Sequence, residues 1–204
     1  MIRKFTLPSI EPPFERILGR MGYNKKKSEL PIELEEMIRL ELVRVRPLFS
    51  PRGNTLDLEI VSLDGGKIVL DGGVEFHSVK LADTLTNCRK VTVMAVTAGP
   101  LGEHESLTLI QTGELTRGVI LDAIGSETVE AFVNYINGVL ASEYGLMGWK
   151  PAMRFSPGYG DLQLSVQPVI LRLLDGEELG IRAHPETYLL DPQKSVTAFI
   201  GWYK

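Results

Sequence analysis

"TLDLEIVSLDGGKIVLDGGVEF", residues 55–76, decides the class of fold. Leu56, Leu58 and Ile60 alternate with Asp57, Glu59 and Val61, the period of a strand with one face turned inward. Gly65–Gly66 follows, a pair suited to a tight turn whose backbone needs positive φ. "KIVL" then returns beside the first strand, and a hairpin of this kind is antiparallel.

The neighbouring stretches extend this reading. "HSVKLADTLT" (77–86) has helical spacing, with Val79, Leu81, Ala82 and Leu85 expected on the core side. "KVTVMAVTAG" (90–99) is apolar and β-branched, as a buried strand requires. From Leu101 the pattern turns helical, with Gly113 as a break. The second part runs from Glu114 to Glu143, and Val119, Ile120, Ala123, Ile124, Val129, Phe132, Val133, Ile136 and Leu140 recur at helical spacing. Gly118 and Gly125 each cost that helix about 1 kcal/mol relative to alanine, but they let another element or a ligand come close. Beyond it, Val166–Leu174 reads as a helix with Pro168 in its first turn. Val196, Ala198 and Ile200 alternate with Thr197 and Phe199 as a strand.

Upstream, Pro8, Pro12 and Pro13 favour extended backbone. Phe14–Leu18 suits a short helix ending near Gly19 or Gly22. "SELPIELEEMIRLELVRVRP" (28–47) suits a longer one, starting at Ser28 or Leu30 and stopped by Pro47. Strands come before and after a helical block instead of alternating with it. The expected class is therefore α+β, a largely antiparallel twisted sheet with a block of helices.

The 204 residues are 44% hydrophobic and 24% charged, ordinary for a globular protein, with a net charge of −4 that speaks against nucleic-acid binding. The short basic run "NKKK" (24–27) reads as a solvated loop. The single cysteine, Cys88, can form neither an intrachain disulfide nor a multi-thiolate metal site, and its place before a buried strand suggests a small core residue. His77, His104 and His184 form no metal-ligand motif, so no metal site is expected. The opening "MIRKFTLPSIEPPF" lacks the apolar run of a signal peptide, and no stretch approaches the roughly 18 apolar residues of a membrane span. These points predict a cytoplasmic protein with no membrane partner.

Two places can carry chemistry. "RFSPGYGD" (154–161) crowds two glycines and a proline between apolar stretches. Gly158 can adopt backbone angles closed to other residues. Arg154 offers a fork of donors for a carboxylate, and Tyr159 offers an apolar face with a hydroxyl. The same letters also suit a plain connection in which Arg154 sits in an ordinary salt bridge. The second place is "SETVEAFVNYIN", where Glu127 and Glu130 are read on one helix face; they suit a cation or an exposed surface equally. There is no nucleophile–base pair, phosphate loop or dinucleotide fingerprint, so no catalytic residue is assigned.

"LDAIGSETVEAFVNYIN" (121–137), "RFSPGYGD" and the closing "DPQKSVTAFIGW" (191–202) together resemble the S-adenosylmethionine-binding activation domain of cobalamin-dependent methionine synthase. "TAGPLGEHE" (97–105) is similar to free-standing forms of that domain. The resemblance covers residues 75–202; residues 1–70 diverge, and 1–204 is expected to form one domain. In that family the domain holds S-adenosylmethionine while cob(II)alamin is reduced and methylated back to its active state. The resemblance implies that Arg154 binds the ligand's carboxylate and Glu130 its amino group or sulfonium. It further implies that Ser156 contacts the ligand through its backbone, Gly158 keeps that backbone open and Tyr159 lines the site. Cobalamin would be carried by a partner, the cobalamin-binding modules of a separate methionine synthase, with a flavodoxin-like or ferredoxin-like electron donor. Two features depart from the family pattern. The aspartate of its N-terminal "D-W-T-P-F-F" segment has no match, and Leu162–Val166 contains no histidine where the family has one. A docking module that no longer binds S-adenosylmethionine is the alternative these departures leave open, and an unrelated small-molecule enzyme using the same turn is a third.

Overall fold

The structure, a computed structural model, describes residues 1–23 and 29–204. The run at 24–27 and the helix start at Ser28 lie outside the described residues. In chain order the elements are β1 (Arg3–Thr6), α1 (Phe14–Arg20), α2 (Ile32–Val45), β2 (Arg52–Asp64), β3 (Lys67–Leu70), β4 (Val74–His77), α3 (Val79–Leu85), β5 (Lys90–Thr97), α4 (Leu101–Gln111), α5 (Leu115–Leu146), β6 (Lys150–Pro151), α6 (Gln167–Leu173), α7 (Gly176–Leu179), β7 (Arg182–Ala183), β8 (Leu190–Asp191) and β9 (Ser195–Tyr203).

The hairpin at 55–76 forms as its letters require. β2 and β3 pair antiparallel, and Gly65 and Gly66 both take positive φ, 55° and 88°. β2 is long enough to serve two partners on one edge, β1 on its first half and β3 on its second. The sheet order is β4-β3-β2-β5-β9-β6 with β1 beside β2, and each of these pairs is antiparallel. The expected α+β class, an antiparallel sheet with a block of helices, is present, and the sheet curls into a half-barrel.

β5 explains the two-sided core. Successive side chains of a strand point to opposite faces. Met94 and Val96 join one cluster with α1, α2, α4 and α5; Val91, Val93 and Ala95 join the other, with α3, α6 and the β3–β4 hairpin. A strand covered on both faces is apolar throughout instead of alternating, which is why "KVTVMAVT" reads as one run. β9 repeats the logic, with Ala198, Ile200 and Trp202 on one side and Phe199 on the other. Each large side chain buried in this way contributes on the order of 2–3 kcal/mol.

The break at Gly113 is present at φ 89°. α5 then runs longer than its expected bounds, to Leu146, and crosses the first core cluster with Ile120, Ile124, Phe132, Ile136 and Leu140. Gly118 lets α4 close in: a Cβ there would lie 2.5 Å from the Ile110 side chain. Two expected core residues are exposed instead. Val79 is 53% exposed because it lies off the Leu81–Leu85 stripe of α3, and Val119 is 50% exposed on the outer side of α5. Cys88 is buried, and desolvation raises its thiol pKa above the ordinary value. Among the described residues no helix is long and apolar enough to cross a membrane, and no group of three or more His, Cys, Asp or Glu is placed to hold a metal.

Candidate functional site

The segment after β6 is held to the sheet like an extra strand end. Ala152 N–H donates to Gly201 O at 2.8 Å, and Phe155 exchanges both backbone hydrogen bonds with Phe199 at 2.9 and 2.8 Å. The chain then turns back on itself. Gly158 N–H donates to Leu162 O at 2.8 Å and Tyr159 N–H to Ser156 O at 3.2 Å. Gly158 at φ 90° and Gly160 at φ 58° supply the left-handed angles that close this turn.

Asp161 pins the far end. Its carboxylate accepts from Ser78 Oγ at 2.5 Å, from Val79 N at 2.7 Å and from Lys80 N at 3.2 Å, at the start of α3. The Ser78 hydroxyl, followed by these backbone donors, holds the Asp161 carboxyl below the usual aspartate pKa. The quoted turn is thus stapled to β9 at one end and to α3 at the other.

These anchors place Arg154 against α5. Its Nη2 donates to Glu130 Oε2 at 2.8 Å, across 24 residues of sequence. Both side chains are about three-quarters buried, and Arg154 Nη1 is buried with no hydrogen-bond partner among the described residues. A buried donor left in this state costs about 1–3 kcal/mol, a cost that a ligand carboxylate accepting from Nη1 would remove.

The pair lines an open depression of about 460 Å³, within the range of small-molecule sites. Ser156 and Tyr159 line it from the turn. Tyr159 is 70% exposed and stands at the mouth with Met153. Gly158 does not line the depression; the direction of its missing side chain meets Leu164 at 3.2 Å, so it shapes the wall from behind.

Glu127 does not share the site. It is 5% exposed and accepts from Arg20 Nε at 2.6 Å, on the α1 side of α5. Its offset from Glu130 around the helix, about 60°, is enough to send the two carboxylates to different arginines. Sequence reasoning missed the remaining polar lining: Gln167 at the start of α6, with Ser195 and Thr197 on β9. The signal available was a glutamine and two hydroxyls inside otherwise apolar runs. A second depression between residues 9–12, α2 and α5 encloses only about 110 Å³, is largely apolar in lining, and is too small for a nucleoside.

No protein-family model matches the chain, and no curated protein sequence matches it. A solved structure does: "Crystal Structure of the MetH Reactivation Domain bound to AdoHcy" matches with a TM-score of 0.72 at 15% identity, over 98% of this chain and 78% of that one. The fold is that of the MetH reactivation domain. The reactivation-domain likeness extends through residues 1–70, where the sequence resemblance stops. AdoHcy, the ligand of that neighbour, is S-adenosylhomocysteine.

Proposed function

We propose that this chain binds S-adenosylmethionine in the depression beside Glu130 and Arg154, with residues 1–204 acting as one reactivation unit. The observation that carries the reading is the convergence of these two side chains, remote in sequence, on the wall of a ligand-sized depression. It is supported by a fold whose solved neighbour holds S-adenosylhomocysteine. An α-amino-acid head carries one carboxylate and one ammonium. Arg154 Nη1 donates to the first and Glu130 accepts from the second, so the pair reads both charges. Ser156 contributes backbone and Tyr159 an apolar flank at the mouth.

The chain's own work in this reading is to hold and orient the methyl donor. The reaction it supports is reductive methylation on a separate, cytoplasmic cobalamin-dependent methionine synthase. One electron comes from a flavodoxin-like or ferredoxin-like protein and one methyl from S-adenosylmethionine, which leaves as S-adenosylhomocysteine. The corrin on the partner supplies the cobalt chemistry. Met153 and Tyr159, large and exposed at the mouth, suit contact with such a partner.

A second reading takes the Glu130–Arg154 bond as a closed structural pair on a docking module without a ligand. Titration calorimetry separates the two. The first expects saturable heat with S-adenosylmethionine and S-adenosylhomocysteine, and transfer of labelled methyl to the partner's cobalt when reductant is added. Folded protein that gives neither heat nor label transfer removes the first reading.

A further inference from the structure

The floor of the depression holds a polar group that the charged pair does not explain. Gln167 is 6% exposed and Thr197 is 3% exposed, and both line the cavity. Thr197 Oγ1 donates to Gln167 Oε1 at 2.6 Å. Burying a carboxamide and a hydroxyl costs free energy unless their hydrogen-bonding capacity is used. A leucine–valine pair would occupy similar space without that cost. The bond to Thr197 takes the carboxamide oxygen and sets the rotation of the group. What Gln167 then offers is its amide N–H2, a neutral donor.

We propose that Gln167 is a specificity-determining residue, whose amide donates to an uncharged acceptor on the nucleoside half of the ligand and is oriented by Thr197. This rests on the reading of the site given above. The division of labour follows from charge. Arg154 and Glu130 match the charged amino-acid head, whereas a neutral amide held at fixed rotation suits a ring nitrogen or a ribose oxygen. A site built with such a donor discriminates against groups that cannot accept from it.

S-adenosylhomocysteine is titrated calorimetrically into the intact wild-type chain, Gln167→Glu and Gln167→Met, near pH 8 and near pH 5.5, with thermal melts confirming folding. Glutamate presents only acceptors when ionised and regains a donor when protonated, and burial raises the pKa at which it does so. Gln167→Glu is expected to lose at least about tenfold in affinity at the higher pH, and to recover towards wild type at the lower. Gln167→Met, which neither donates nor titrates, is expected to stay weak at both. The proposal is overturned if Gln167→Met binds like wild type, or if the deficit of Gln167→Glu relative to wild type is equal at the two pH values. Should Gln167→Glu fail to fold, wild-type affinity in Gln167→Met overturns it alone. Wild-type protein that binds no S-adenosylhomocysteine removes the underlying reading as well, a result distinct from either of these.

Discussion

Helix α5 carries two glutamates three residues apart, and each meets an arginine from a distant part of the chain. Glu127 meets Arg20, and Glu130 meets Arg154. In the first pair the carboxylate is buried while the arginine side chain is 45% exposed, and the atom left without a partner among the described residues is Glu127 Oε2. In the second, both side chains are about a quarter exposed, and the atom unpartnered among the described residues is Arg154 Nη1. The first pair braces α1 against α5. The second presents an unsatisfied cationic donor beside an open depression, where an anion can reach it. Two pairs of the same residue types on one helix therefore differ in what they can do, and the difference comes from which partner is buried and what it faces.

Substitution should separate the pairs. Arg154→Ala is expected to weaken S-adenosylhomocysteine binding by about 100-fold or more, the scale for truncating one member of a desolvated charge pair. Its melting temperature should move little. Calorimetry and thermal melts on the same sample read both. Arg20→Ala should do the reverse. It strands the buried Glu127 carboxylate, and with Arg20 half exposed the loss is about 1–3 kcal/mol of stability by urea unfolding. Ligand affinity should hold within about twofold, as expected for sites without shared partners. If Arg20→Ala costs as much affinity as Arg154→Ala, the two pairs are one network and the contrast is wrong.

The smallest effect concerns the turn that carries Arg154. The Ser78 hydroxyl and two backbone donors depress the folded pKa of Asp161. Its contribution to stability is therefore complete above the ordinary aspartate value of about 4 and is lost as pH falls through the lower folded value. Unfolding midpoints of wild type and Asp161→Asn should differ by a constant amount above about pH 5 and converge below about pH 4. A difference unchanged across that range would show that the carboxylate is not what anchors the turn.

Much of the fold was legible because it rests on short periods. The alternation at 56–60, the paired glycines and the continuous apolar run of β5 each report a local backbone state and its burial. Residues off the stripe were harder. Val79 and Val119 look apolar enough for the core, yet each falls on the outer side of its helix. Glu41 shows the converse. It is 5% exposed, held by Arg44 at 2.8 Å and Arg117 at 2.6 Å, and no local pattern distinguishes it from its exposed neighbours. At the site, Arg154, Tyr159 and Glu130 were singled out by type and by resemblance, whereas Gln167 and Thr197 read as parts of a helix and a strand.

The sequence alone determined the antiparallel hairpin, the buried central strand, the break before the long helix and the presence of a glycine-rich turn, because each depends on residues within one or two turns of backbone. Tertiary structure decided which glutamate meets which arginine, and that Gln167 and Thr197 share the floor. Those outcomes depend on contacts between segments 24 to 107 residues apart. Such contacts are set by how helices and sheet pack together, and no local period records them.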